Sequence, residues 1–342
     1  MKKFTLYILT AFGLMGLATS CNDFGDVNND PMNLNPGVVD YKMEFTQVEA
    51  QICGSDWDVW RNGCIYTANM IQHTASVDWA YGVFYTWNDQ YSGAYWGGFY
   101  SGGRAAIRNI IDVMNNWEGD PAYTNEYQMC RILKAYMFQN MTDLYGDVPY
   151  SEAGQGYSTN PIPYPKYDTQ EAIYDDLLKE LDEAQAALST SAGNTIGAAD
   201  VIYGGDAAKW KKFANSLMLR VAMRLTKVAP DKAKTWVAKA VSNGLFVSND
   251  DNAIVRHTNG SPSDDSAEPY GKVFSSLDTQ AFYISETFIN ILQDDPRLPL
   301  IATVCTRDPK PGWGDADFDL GDNTAAKQKG MPVGYDVSGG DW

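Results

Sequence analysis

Apolar residues recur every three to four positions through most of residues 104–242, and that period commits this stretch to amphipathic helices. Arg104–Trp117 carries Ile107, Ile110, Ile111 and Met114 on one stripe. A longer segment opened by Pro121 and closed by Gly146 carries Cys130, Leu133, Met137, Met141 and Leu144. Asp168-Thr-Gln-Glu171 reads as a capping box with Asp168 as N-cap, followed by Ile173, Leu177, Leu181, Ala184 and Leu188 at the same period. Asp206 starts a helix with Trp210, Phe213, Leu217, Val221 and Leu225 facing inward, and Asp231–Ser242 adds a shorter one stopped by Gly244. Such helices predict antiparallel hairpins stacked as a degenerate helical-repeat solenoid, although no repeat of fixed period runs through the sequence. Three long loops interrupt them, at Gly146–Tyr167, Ser189–Gly205 and Asn249–Val273. The predicted fold class is mostly α, with an irregular, loop-rich portion.

The chain begins differently. Lys2 and Lys3 precede an uncharged apolar run from Phe4 to Ala18, too short for the roughly 20 residues that cross a hydrocarbon core but suited to a signal peptide. Leu17-Ala-Thr-Ser-Cys21 places small residues before a cysteine, as in a lipobox. We therefore expect a signal peptide over 1–20, lipidation at Cys21, a tether over 21–36 and a folded domain over 37–342. The whole chain holds 26 basic and 43 acidic side chains, and loss of Lys2 and Lys3 leaves 24 against 43, a net charge of about −19. Phosphate backbones repel such a chain, which argues against nucleic acid, and charge alone would not hold it on an anionic membrane. The tethering falls to the lipid. Cys53, Cys64, Cys130 and Cys305 show no zinc spacing. A Cys53–Cys64 disulfide and four free thiols are both open readings. Asp26, Asn28 and Asp30 have the first spacings of a calcium loop, but Pro31 stands where that loop needs glycine and no glutamate closes it, so a tether is the better reading. No cofactor is called for.

Between Trp57 and Tyr100 lie 13 aromatics in 44 residues, where the chain's 13 % aromatic content gives about six. Sugars present flat C–H faces rimmed by hydroxyls, and aromatic platforms beside planar polar groups match both. Trp79, Tyr81 and Trp87, flanked by polar turn residues, are the candidate ligand contacts, with Asp78 and Asn88 as hydrogen-bonding groups and Tyr270 as a second wall. Aromatics are more often core, and Tyr95, Trp96, Phe99 and Tyr100, at helical spacing, are read as core. Only His73 and His257 are present, with no metalloprotease or serine-hydrolase motif. Nothing singles out a glycosidase pair among the carboxylates. Lys209, Lys211, Lys212, Arg220 and Arg224 read as a solvated or scaffold-pairing face.

Several strings together carry a resemblance. Arg131–Ala153, which includes Asp-Leu-Tyr-Gly-Asp-Val-Pro-Tyr150, and Gly205–Arg224 are similar to the most characteristic stretches of the SusD/RagB-like outer-membrane lipoproteins. So are Tyr167–Tyr174, Asp295-Pro-Arg-Leu298 and Phe24–Pro31, in the same order along the chain. The resemblance implies a scaffold of tetratricopeptide-like hairpins and a non-enzymatic lipoprotein on the outer face of the outer membrane. Such a protein captures a glycan and hands it to a SusC-like TonB-dependent barrel transporter. A peptide ligand, as in some members, and a surface glycan hydrolase are the alternatives. Family members continue beyond a stretch like Gly330-Met-Pro-Val-Gly334, which predicts that helices of the repeat scaffold are missing here.

Overall fold

Gly146, at φ 76°, ends a 22-residue helix that organises the rest of the molecule. We describe a computed structural model that covers residues 40–101, 106–157, 160–257, 268–273, 282–304 and 321–335. Signal peptide, Cys21, tether, the calcium-like spacing, Arg104 and Cys305 lie outside the described residues. The chain divides into Met1–Tyr41 and a second unit from Lys42 onward, which holds the helical stack and the aromatic-rich segment.

The elements are α1 (Tyr41–Gln51), a π-helix (Val59–Ala68), β1 (Thr74–Ala75), α2 (Ala106–Trp117), α3 (Thr124–Tyr145), β2 (Val148–Pro149), β3 (Tyr167–Asp168), α4 (Gln170–Ala187), α5 (Ala207–Arg224), α6 (Pro230–Asn243), α7 (Pro269–Lys272), β4 (Tyr283–Ile284) and α8 (Glu286–Leu292). From α2 to α6 each helix packs on the next. The apolar stripes explain this: Ile107 and Ile110 of α2, Leu133 and Met137 of α3, Leu177 and Leu181 of α4, and Trp210 and Val221 of α5 are all buried. Two ion pairs at seven-residue spacing, Lys232–Asp175 and Lys239–Asp182, also bring α6 to α4. Contacts between helices two apart in sequence are what stacked hairpins produce, so the solenoid expectation holds.

One predicted inward position faces out. Leu144, in the last turn of α3, is 40 % exposed and lines a cavity beside the π-helix. A second expectation also needs correcting, because Asp168 does not cap α4. Thr169 is the N-cap, its side chain accepting from the Ala172 N–H. Asp168 sits in β3, antiparallel to β2, and accepts from the Ser151 N–H at 2.7 Å. A pairing with Val148 across the turn competes successfully with the cap.

Helix α3 is buried on more than one side, and its polar residues pin the long loop between α4 and α5. Asn125 exchanges two hydrogen bonds with the Ser189 backbone, at 2.9 and 2.8 Å. Glu126 Oε1 accepts from the N–H groups of Thr195 and Ile196, both at 3.0 Å. From α1, Glu49 Oε2 accepts from the Val201 N–H at 2.8 Å. Asp200, itself buried, accepts from the N–H groups of Ile202, Tyr203 and Gly205 and from the Trp210 indole N–H at 2.7 Å. A buried carboxylate is tolerable only when its lone pairs are met this way. The basic face of α5 also proves to be scaffold: Arg220 donates to Gln139, Arg224 pairs with Asp143 at 2.8 Å, and Lys212 with Asp251 at 2.8 Å.

Farther along, β4 pairs with β1, and Ser285 bridges to Met331, so Tyr283–Ser285 and Met331 sit beside the loop after the π-helix. In the Asp295-Pro-Arg-Leu298 motif Arg297 clasps Asp295, holding its carboxyl down to about 2, while Leu298 is buried in a small apolar cluster with Ile289 and Leu292.

Candidate functional site

The aromatic-rich segment owes its shape to one polar device and one glycine. Ser55 and Asp58 form a capping box, Asp58 N–H to Ser55 Oγ and Ser55 N–H to Asp58 Oδ2, that starts a turn leading into the π-helix. A π-helix ten residues long is rare, and such distortions are frequent at functional sites. The next loop folds back on it. Gly82 donates its N–H to the Ile65 carbonyl, and a Cβ there would stand 2.5 Å from that oxygen, so only glycine permits the approach. Asn62 then ties the next turn down, donating to the Ser92 carbonyl and accepting from the Tyr95 N–H.

Around that frame Val59, Cys64, Ile65, Tyr66, Val273 and Phe282 form a buried cluster roofed by Trp60, Trp79, Tyr81 and Tyr91. The roof rings meet edge to face: Trp60 on Trp79 at 5.0 Å, Trp79 on Tyr91 at 5.6 Å and Tyr81 on Tyr91 at 5.6 Å. Edge-to-face contact suits the ring quadrupoles and makes the platform rigid. Trp79 and Tyr81 are thus both held against Tyr91, half-buried and with part of their surface committed to neighbouring rings.

Trp87 is different. It is 74 % exposed, and its indole N–H donates to Asp89. Asn88 caps the turn that comes next, its Oδ1 accepting from the Gln90 N–H, while its carbonyl accepts from the Tyr66 and Ser92 hydroxyls. Asp78 is exposed on the same loop. Tyr270 stands apart: it makes no ring contact with the roof among the described residues and lines another cavity. Of the predicted core aromatics, Phe99 is buried, while Tyr95, Trp96 and Tyr100 are half-buried.

Three further groups belong to this surface and were not singled out by the sequence. Arg61 lies over the Trp57 ring at 5.2 Å and the Tyr91 ring at 5.9 Å, with its Nε buried and without a hydrogen-bond partner among the described residues. Phe84 and Tyr85 are exposed, and Tyr85 adopts φ 54°, a left-handed backbone that a bulky residue rarely occupies. Its hydroxyl donates to the Met70 carbonyl at 3.2 Å, which holds the ring outward. The signal for Arg61 was its place between Trp60 and the turn that the aromatics cover. Tyr85 left no mark in the sequence, because its conformation results from the Gly82 fold-back.

The described cysteines are free thiols, Cys53 exposed and Cys64 and Cys130 buried, so Cys53 and Cys64 are not joined. Among the described residues no cluster of His, Cys, Asp and Glu is arranged to hold a metal ion, and no helix is long and apolar enough to cross a membrane. The surface therefore offers stacking faces, one partly desolvated guanidinium and turn carboxamides. Stacking faces beside planar polar groups are chemically complementary to flat-faced, hydroxyl-rich molecules.

Residues 39–336 match the family model SusD-like_2, described as starch-binding and associating with the outer membrane. This chain belongs to the SusD-like family. Among solved structures, one described as Bacteroidetes AC2a SusD-like is 32 % identical, covering 76 % of this chain and 50 % of its own, with a TM-score of 0.65. A chitin-binding protein is 31 % identical, covering 87 % of this chain and 61 % of its own at a TM-score of 0.68. A chitin-binding SusD homologue from Flavobacterium johnsoniae shares the fold at 24 % identity, covering 87 % and 58 % at a TM-score of 0.64. The SusD-like chain thus spans about half to three-fifths of the length of these relatives. No curated protein matches it. The mostly helical fold and the family expected from the motifs are both borne out.

Proposed function

We propose that this SusD-like chain binds a glycan on the surface built by Trp79, Tyr81, Tyr85 and Trp87, with Arg61, Asp78 and Asn88 as polar contacts. The observation that carries the reading is the exposed Trp87 and Tyr85, held outward by their own hydrogen bonds beside a rigid aromatic roof. Binding rather than catalysis is the role that family membership supports. The two chitin-binding relatives make β-1,4-linked N-acetylglucosamine oligomers the first ligands to try, and the family description adds starch oligomers. Calorimetric titration of both series should find a binder, and Trp87→Ala should weaken it about tenfold, the worth of roughly 1.4 kcal/mol of lost stacking. An unchanged affinity in that variant would remove Trp87 from the site. Binding of a peptide panel in place of either sugar series would shift the ligand class.

The family also supports delivery to a SusC-like TonB-dependent barrel from the outer face of the outer membrane, with Cys21 carrying the lipid. Cys21→Ala should abolish fatty-acid labelling and move the protein from the membrane to the soluble fraction. Persistence in the membrane fraction would refute the anchor.

A further inference from the structure

The π-helix presents two faces. Trp60 and Tyr66 turn to the aromatic roof, whereas Asn62, Gly63 and Thr67 line a separate cavity of about 440 Å³ whose other walls come from Cys53, Asp58 and Tyr95 and from α3, α5 and α7. This volume falls in the range of small-molecule sites, roughly 300 to 1,000 Å³.

Its walls are polar in a particular way. The charged side chains are already engaged: Asp58 serves the capping box with Ser55, and Asp143 is paired with Arg224 and accepts from the Tyr174 hydroxyl. Asn62 is likewise spent on Ser92 and Tyr95. What remains for a guest is neutral. Tyr95, Tyr136 and Tyr270 reach the cavity from three different elements, joined by the Asn140 carboxamide. Tyr136 is fixed from behind, its ring 5.0 Å from the Arg220 guanidinium and its hydroxyl bonded with Asn140 and Cys53. The Tyr270 hydroxyl reaches toward the π-helix at its glycine, where a Cβ on Gly63 would stand only 3.1 Å away. It has no hydrogen-bond partner among the described residues. Burial pushes all three phenols up, so each stays protonated at neutral pH and offers both a donor and an acceptor.

Engaged charges exclude an ionic guest as the natural occupant, because nothing would neutralise it. Converging hydroxyls and a carboxamide suit a molecule whose own groups both donate and accept. We propose that this cavity is a second binding site, distinct from the aromatic surface, for an uncharged polyhydroxylated molecule of monosaccharide to disaccharide size. The proposal does not depend on the aromatic surface being a glycan site.

The test is calorimetric titration of the full chain with N,N′-diacetylchitobiose and with maltose. Wild type should bind at least one of them. Tyr270→Phe, which removes a hydroxyl with no internal partner and so spares the fold, should weaken it about tenfold. Thr67→Trp, which fills the cavity mouth, should abolish it. The same titrations run in a Trp87→Ala background remove the aromatic surface's share, and Tyr270→Phe should weaken the remaining binding about tenfold there too. Thermal melting followed by circular dichroism checks each variant's fold, and Tyr270→Phe decides the matter if Thr67→Trp is misfolded. The proposal is overturned if neither sugar binds wild type, if Tyr270→Phe binds as tightly as its parent in either background, or if no binding remains in the Trp87→Ala background.

Discussion

Replacing Glu49 with glutamine should stabilise the protein at neutral pH, and by more as the pH rises. Glu49 is fully buried in α1, and burial first, then the like charge of Asp200 and a hydrogen bond with it, push its carboxyl up to about 10. The Val201 N–H pulls the other way without prevailing. Unfolded, the same carboxyl ionises near 4.5. Between those values the folded protein holds a proton that the unfolded chain releases, so stability falls as pH rises, by about 1.4 kcal/mol per pH unit from this group. No such loss applies below about 4.5, and it is complete above about 10. At pH 7 the accumulated cost is up to about 3 kcal/mol. Glutamine keeps the acceptor for Val201 and a donor for Asp200 while removing the titration. Urea unfolding of both proteins at several pH values checks this. Glu44, raised to about 7 chiefly by burial and by Asp112, leaves its own slope below neutrality, so the informative window is pH 7 to 9. Parallel stability curves for the two proteins across that window would refute the raised Glu49 carboxyl.

Trp210→Ala should be the most damaging single truncation of the stack. The side chain has no exposed surface, and it packs between Tyr203 and Phe213 at 5.6 and 5.7 Å. Removing it opens a large cavity between α5 and the preceding loop, at a cost of about 3 to 5 kcal/mol. It also takes from Asp200 one of its four N–H donors. Trp210→Phe separates the two effects, since it keeps most of the volume and loses only the indole N–H, for about 1 to 3 kcal/mol. Urea unfolding at pH 7 measures both. A loss under about 1 kcal/mol for alanine would mean that the site collapses around the deletion and that Trp210 is not the keystone its burial implies.

Helices α2 to α6 were legible because their stripes are long and their ends are marked: Gly146, Gly244 and Asp206 all act as read. Asp168 misled because a two-residue strand pairing, which local sequence does not announce, took the residue that chemistry would have chosen as a cap. Leu144 misled for a related reason: the helical period continues to the end of α3, but the element that would cover its last turn leaves a cavity. The site was half legible. Aromatic density marked the segment that carries the proposed surface, and Trp79 and Tyr81 both pack on Tyr91 there. Which rings stay outside depends on the Gly82 fold-back and on bonds such as Tyr85 to Met70, whose partners are 15 residues apart. Tyr270, read as a second wall, lines the cavity on the other side of the π-helix, since the chain's return there is a tertiary event with no local signature.

The loop from Ser189 to Gly205 has a consequence for engineering. A connection of that length is ordinarily where a chain accepts inserted residues or a protease cut. Here the N–H groups of Thr195, Ile196, Val201 and Gly205 end on side-chain carboxylates of Glu126, Glu49 and Asp200. Thr46 of α1 fastens the Ala199 carbonyl as well, at 2.6 Å. An inserted residue anywhere along that run would shift the register of every anchor after it and strand buried carboxylates without donors. Permissive positions shrink to the exposed tip at 190–193, four residues of a seventeen-residue link. A tag or fluorophore meant to leave the stack intact belongs at that tip.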